Sequence, residues 1–241
     1  MQDITYGPFS EGTSAGLSGR ARRARRAVVG VVVAMTTACT SFATVRSAEV
    51  YPGPSIGLQA SGSTPPGDDA GWFWSQDCAA DCNHPIVGGD VGFSYGWTGR
   101  TAFALGLGVA GTHPYIDGYV QLGSGRSPYG IGARVGPISN WREHQLYGRY
   151  DVSLGGRSRL LLNPALFVHE GQSPNGENPG TFIGFVQGVG LLFEGEHVSW
   201  TPALALVAGR AERTSYGTKF GPTTSVFGAA SLGMTVHRRR N

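Results

Sequence analysis

The sequence has little charge and almost no segment with the period of an amphipathic helix. Charged residues make up 15% of the 241 residues, and lysine occurs once, at Lys219. The longest apolar run, from Ala27 to Met35, has about half the length that a bilayer-spanning helix needs. These absences exclude a helical bundle and a transmembrane helix, and they argue against the charged exterior of an ordinary soluble domain.

Glycine and alternating segments are what the chain has instead. It contains 39 glycines, and its polar and apolar residues alternate with the two-residue period of a β-strand, which indicates one all-β domain. Most of the alternating segments are about 9 to 13 residues long, which exceeds the usual globular strand and suits a tilted crossing of a bilayer. The ten predicted strands lie near 54–61, 86–97, 101–110, 115–123, 128–136, 144–154, 158–169, 181–193, 197–208 and 224–236.

The predicted connections are of two kinds, which alternate along the chain. Four are tight and centred on glycine, as β-hairpin loops require, and they lie at 98–100, 124–126, 155–157 and 194–196. The others lie at 62–85, 111–114, 137–143, 170–180 and 209–223, and three of them are long and rich in glycine, proline, asparagine and serine. Short turns at one end, longer loops at the other and both termini at the short-turn end are typical of an antiparallel up-and-down membrane barrel.

The segment 145–154, QLYGRYDVSL, illustrates the two faces of a predicted strand. Leu146, Tyr150, Val152 and Leu154 share one face, and the opposite face is polar. Along the other segments, the face opposite the large apolar residues consists of Gly, Ala and Ser with a few charges of both signs. A solvated exterior would carry many Lys and Glu, so this face fits a crowded interior, and we expect the apolar row to face outward toward lipid. The alternative is a periplasmic or lipid-anchored soluble barrel that binds an apolar ligand inside.

The polar face is predicted to form a network in the lumen. Its members are Asp90, Asp117, Tyr119, Arg134, Tyr147, Arg149, Asp151 and Arg159. A two-residue turn at Gly125 and Arg126 would place Asp117 directly opposite Arg134. Opposite charges on neighbouring strands should pair in a water-poor lumen, so we expect an Asp117–Arg134 ion pair within a polar plug at mid-barrel.

Aromatic residues near the predicted strand ends would form two belts at the membrane surfaces. Those near the tight turns are Trp97, Tyr129, Phe193 and Trp200, and those near the loop ends are Tyr115 and Trp141.

The first 43 residues have the features of a secretory signal peptide. The basic run from Arg20 to Arg26 precedes the apolar stretch, and the small residues that end at Ala43 offer a cleavage site. The sequence TTAC, ending at Cys39, resembles a lipobox, which leaves lipidation as the alternative. We therefore expect an export segment over 1–43 and a barrel domain over 44–241. That domain contains fourteen basic and fourteen acidic residues, so we expect no nucleic-acid partner.

The two remaining cysteines lie close together in the first long loop. In an exported protein, Cys78 and Cys82 favour a disulfide that closes a tight loop. The alternative is a metal site with His84, but these three ligands fall short of the four that a structural zinc ion requires. We expect no metal and no cofactor.

Two groups of residues are candidates for a catalytic site. His197 and Ser199 share one face, although they adjoin a tight turn. A rim-site hydrolase could use the polar loop residues Asp77, Asp81, His84, His113, His169 and Glu170. Polar loop residues are usually only solvated, and nothing in the sequence fixes a catalytic geometry, so we expect no enzymatic activity.

From about residue 50 to its end, the chain resembles the small bacterial outer-membrane β-barrel proteins. The resemblance rests on the signal peptide, the ten alternating strands and the short and long connections, with no diagnostic motif. It implies a transmembrane barrel of ten strands, with eight or twelve possible, which contacts outer-membrane lipid and is inserted by the barrel-assembly machinery. The last predicted strand ends at Val236, where that family typically has an aromatic residue. The expected function is a structural protein or a narrow pore with a partly plugged lumen.

Overall fold

The computed structural model of the chain describes residues 44–65, 87–110, 113–136, 141–171, 180–215 and 218–238. The export segment 1–43, including the lipidation candidate Cys39, lies outside these residues. So do the Cys78–Cys82 pair, the rim candidates Asp77, Asp81 and His84, and the side chains of His113 and Trp141.

Ten antiparallel strands close into one up-and-down barrel, which confirms the predicted fold class and strand number. Each strand pairs with its neighbours in sequence, and β1 closes the ring by pairing with β10. The strands are β1 (Gly53–Ser63), β2 (Val87–Trp97), β3 (Ala102–Ala110), β4 (His113–Gly123), β5 (Tyr129–Gly136), β6 (Trp141–Gly155), β7 (Ser158–Gly171), β8 (Gly180–Glu194), β9 (Val198–Ser215) and β10 (Thr218–His237). None of the described residues belongs to a helix that could span a membrane.

Strand β5, YGIGARVG, shows how the alternating sequence builds the barrel wall. Its residues are exposed and buried in strict alternation, with Ile131 and Val135 outside and Arg134 inside. The ring of Tyr147 lies against the inward Gly132, where a side chain would have no room. Large apolar residues therefore cover the outer surface, and small or polar ones face the lumen, in the direction that the sequence predicts.

Glycine closes the tight turns at one end of the barrel. Gly125, Gly155 and Gly156 have φ angles of 87°, 104° and 58°, which an L side chain rarely adopts. The barrel also begins and ends at this short-turn end, because Ser55 of β1 pairs with His237 of β10.

The predicted loop at 209–223 is wrong. Strand β9 runs to Ser215 and β10 begins at Thr218, so only two residues connect them. This hairpin extends past its neighbours, because β8 pairs with β9 as far as Arg213 and β1 pairs with β10 only as far as Ala229. Polar residues occupy both of its faces, so the sequence has no apolar period there to indicate a strand. The loops predicted at 111–114 and 137–143 are also shorter, since β4 begins at His113 and β6 at Trp141.

Residues 44–52, TVRSAEVYP, form an irregular stretch inside the barrel, which we call the lumen segment. Val45, Ala48 and Val50 are buried, at 3%, 0% and 4% exposure. The chain turns at Gly53, whose φ angle is 80°, and then enters β1. The guanidinium of Arg46 lies over Gly57 of that same strand, so the lumen segment runs back along the inside of the wall. The sequence places these residues in the barrel domain but does not predict that they fill its lumen.

Candidate functional site: the filled lumen

The structure places all eight predicted lumen residues on the inner surface of the barrel. Asp90, Asp117, Tyr119, Arg134, Tyr147 and Asp151 are buried, and Arg149 and Arg159 are partly buried. The rings of Tyr119 and Tyr147 stack with their centroids 6.2 Å apart, and Arg149 lies over both rings. These side chains do not close the lumen by themselves, because they surround the lumen segment.

Wall side chains bind the backbone of the lumen segment at every second residue. Three of them accept N–H groups and one donates to a carbonyl. Arg46 N donates to Asn163 Oδ1 at 2.8 Å, Ala48 N to Asp151 Oδ1 at 2.8 Å and Val50 N to Gln121 Oε1 at 2.9 Å, and the Tyr119 hydroxyl donates to the Ala48 carbonyl at 2.9 Å. Side chains of β4, β6 and β7 thereby satisfy four backbone groups of this largely buried segment.

Arg46 anchors the lumen segment at mid-barrel. Its Nη2 lies 2.8 Å from Asp90 Oδ1 and 3.2 Å from the Tyr115 hydroxyl, and its Nη1 lies 4.0 Å from Asp117 Oδ2. The Tyr115 hydroxyl also donates to Asp90 Oδ1 at 2.8 Å. Asp90 is fully buried, so its charge requires the positive groups around it.

Two further contacts fix the segment toward the short-turn end. Glu49 Oε2 lies 2.7 Å from Arg159 Nη2, and that guanidinium also approaches Asp151 at 3.8 Å and Glu194 at 3.7 Å. The Ser47 hydroxyl donates to Asp151 Oδ2 at 2.5 Å. Arg159 therefore links the lumen segment to carboxylates of the wall.

The other end of the segment has an apolar contact. Val45 is buried in a small cluster with Leu161, Leu192 and Ala203. Two inward glycines make room for it, because a Cβ on Gly188 would lie 2.6 Å from Val45 Cγ2 and one on Gly190 would lie 2.9 Å from Val45 Cγ1. Two cavities beside the lumen segment have volumes of about 70 and 20 Å³, enough for a few water molecules.

The predicted Asp117–Arg134 ion pair is not formed. The two residues are cross-strand neighbours, as the sequence predicts. However, Arg134 Nη1 contacts Asp90 Oδ2 at 3.3 Å, while Asp117 is approached by Arg149 at 3.6 Å and by the Tyr147 hydroxyl at 2.6 Å. The reason is that long side chains in a narrow lumen reach across it, so the partner of a charge need not lie on the adjacent strand.

The residues predicted for the aromatic belt at the short-turn end lie on the outer surface, whereas Tyr115 does not. Trp97, Tyr129, Phe193 and Trp200 are exposed on the outer surface, at 41%, 48%, 50% and 47%. Tyr115 is only 5% exposed and lies in the lumen, with Arg134 Cζ 3.9 Å from its ring centroid. It shares the parity of Asp117 on β4, which directs both side chains inward.

The candidate catalytic pair of His197 and Ser199 is not assembled. Ser199 contacts His237 Nε2 at 3.0 Å, and His197 is exposed just before β9. Tyr51 stacks on the His237 ring with centroids 4.0 Å apart, Ser199 is 1% exposed, and burial raises the pKa of the Tyr51 phenol. This cluster therefore packs the end of the lumen segment against the last strand, which ends at His237 instead of the predicted Val236.

At the loop end, the structure describes the side chains of two rim-hydrolase candidates, His169 and Glu170. His169 Nδ1 lies 3.9 Å from Glu143 Oε2, and Glu170 is exposed. Within the described ranges, no group of three or more His, Cys, Asp or Glu side chains is placed to hold a metal ion.

Comparison with known proteins gives a likeness of architecture. No family model and no curated protein matches the sequence. Neisserial surface protein A matches at 13% identity and a TM-score of 0.36, over 78% of this chain and 99% of its own. A bacterial polysaccharide outer membrane secretin matches at 10% and 0.25, over 79% and 100%, and a mutant of the Rh. blastica porin at 5% and 0.19, over 76% and 98%. Such scores carry no argument about function. The closed ten-stranded barrel nevertheless resembles outer-membrane β-barrel proteins in its architecture.

Proposed function

We propose that the protein is an integral outer-membrane β-barrel, exported through its first 43 residues, that forms a narrow pore held closed by its own lumen segment. The observation that carries this proposal is the inversion of polarity between the two sides of the wall. Apolar side chains cover the outside, and the lumen contains buried charges bound to a stretch of the chain itself.

The outer surface supports a position in lipid. Leu105, Leu107, Leu204 and Leu206 are between 54% and 67% exposed, each alternating with a small inward residue. Contiguous apolar surface of this kind would make a soluble monomer aggregate, whereas acyl chains would cover it. The exposed Trp and Tyr at the short-turn end suit the interface between lipid and water.

The lumen does not favour the alternative of a soluble barrel that holds an apolar ligand. Its middle contains the ionic contacts of Arg46, Asp90 and Arg134, and the lumen segment occupies the space that a ligand would need. Burying an apolar molecule against these charges would cost free energy, because it would replace their hydrogen-bonding partners.

Membrane extraction tests the location of the protein. We expect the full chain to remain in outer-membrane fractions after an alkaline carbonate wash, and to migrate differently on gels before and after boiling. Release of the protein into the soluble fraction, in a folded form, would overturn the membrane assignment.

Single-channel recording tests whether the lumen segment closes the pore. We expect low open probability for the wild-type chain, and a rise of about tenfold or more for Arg46→Ala, since a hydrogen bond to a charged group contributes about 1.5–3 kcal/mol. A disulfide between cysteines at positions 45 and 188 should abolish opening, because a Cβ on Gly188 would lie 2.6 Å from a Val45 methyl.

The control for the disulfide is Val45→Cys alone, and a reductant should restore the openings of the double variant. A large steady conductance in the wild type, unaffected by the disulfide, would show that ions pass beside the segment and that it is not the closing element.

A further inference from the structure

The lumen wall binds the backbone of the lumen segment in a regular way. The amides of residues 46, 48 and 50 each donate to a wall side chain, and the side chains of residues 45, 46, 47 and 49 also contact the wall. Backbone hydrogen bonds that hold the main chain, combined with side-chain contacts that give specificity, are how proteins recognise a peptide.

The wall also discriminates between side chains at position 46. Asp90 is 0% exposed and lies between the guanidiniums of Arg46 and Arg134. A peptide without arginine at this position would leave the buried carboxylate and the Tyr115 hydroxyl short of a partner. Losing one partner of a buried charge is costly, so the wall favours arginine here.

A second discriminating contact lies three residues further along. Arg159 reaches Glu49 at 2.7 Å, and a neutral residue there would remove one of the carboxylates that balance this guanidinium. Glycines limit the size of the side chain at position 45, because the Val45 methyls lie against Gly188 and Gly190. The contacts that depend on side chains are therefore those of residues 45, 46 and 49.

We propose that the lumen is a sequence-selective binding site for a peptide with an arginine and, three residues later, a carboxylate, and that the lumen segment occupies this site in cis. The same peptide supplied in trans binds there once the covalent link is cut. This inference goes beyond the closed pore, because binding is measurable in detergent micelles and holds whether or not the barrel conducts ions.

The test uses the full chain with a protease site inserted between Pro52 and Gly53, folded in micelles and then cut. The probe is a fluorescent synthetic peptide with the sequence of residues 44–52, and its uptake by exchange is measured by anisotropy. Because the cut barrel stays occupied until exchange occurs, the experiment does not depend on the stability of an empty barrel. Gel mobility without boiling reports whether the barrel remains folded.

We expect saturable exchange, with binding weakened about tenfold or more when the peptide carries Arg46→Gln or Glu49→Gln. The Asp90→Asn barrel should lose its preference for arginine over glutamine at position 46. By contrast, Asn163→Ala should weaken both peptides equally, since the hydrogen bond that Asn163 accepts from the segment comes from a backbone amide.

Two results would overturn the inference. One is equal binding of a peptide with the same composition in scrambled order, which would show that the lumen accepts any extended chain. The other is a folded, cut barrel that has released its own segment and takes up no peptide, which would show that the segment is held only by its covalent link. Neither result would bear on the location of the barrel in a membrane.

Discussion

At the scale of single residues, several inward glycines lie where the lumen segment approaches the wall most closely. The volume that a side chain would take at Gly96 holds the Tyr51 carbonyl, and at Gly188 and Gly190 it holds the methyl groups of Val45. The sequence predicts a wall of small residues, which would leave space for a few long charged side chains. The glycines also accommodate a stretch of backbone, which a list of inward residues cannot reveal.

The glycine contacts predict a variant that displaces the segment. Gly188→Val should lower the free energy of unfolding by about 1–3 kcal/mol, the usual cost of overpacking, because its methyls would overlap Val45. Gly233→Val is the matched control, since Gly233 is also buried on the inner face and a Cβ there would come no closer than 3.5 Å to its neighbours. Urea titration in lipid vesicles measures both variants, and equal effects would mean that β-strand propensity alone explains the loss.

The ion pairs predict a specific pattern of coupling. Arg134→Ala should destabilise by at most about 3–5 kcal/mol, because it removes one of the two guanidiniums at the buried Asp90. In a double-mutant cycle, Asp90 and Arg134 should couple by about 0.5–3 kcal/mol, and Asp117 and Arg134 by less, although the latter are cross-strand neighbours. A stronger coupling between Asp117 and Arg134 would support the ion pair that the sequence predicts.

At the scale of strands, the sequence predicted the elements well because one face of each is apolar. The predicted limits of β3, 101–110, differ by one residue from the observed Ala102–Ala110. The sequence does not predict the β9–β10 hairpin beyond residue 208, because its many polar residues have no apolar period and are paired through the backbone. It also placed Tyr115 at a rim, since a strand end cannot be located from residues that fit both a loop and a strand.

The outer face of β3 predicts the cost of placing a charge there. Leu105→Arg should cost about 2–4 kcal/mol of folding free energy if the side chain lies near the midplane of a bilayer, because Leu105 is 54% exposed on the outer surface. Ser124→Arg, in the exposed turn between β4 and β5, is the control and should be neutral. Refolding into vesicles gives both values, and a neutral Leu105→Arg would place the apolar surface in water.

At the scale of the whole molecule, the barrel contains a component that alternation cannot predict. The lumen segment has no strand or helix period, and it is held by residues such as Gln121 and Asn163, distant from it in sequence. A sequence indicates which side chains face inward, but the filling of an enclosed volume depends on all ten strands at once. The available signal was a wall of glycine and alanine that leaves a ten-stranded barrel underfilled, next to a short stretch with no assigned place.

The direct connection between the lumen segment and β1 has a topological consequence. The segment reaches the interior through the open short-turn end, by reversing at Pro52 and Gly53, and it passes between no pair of strands. Residues 44–52 alone therefore need no hydrogen bond between strands to break in order to leave the lumen. The β1–β10 pairing does not depend on whether the lumen is filled, so emptying the lumen would leave the wall of the cylinder intact.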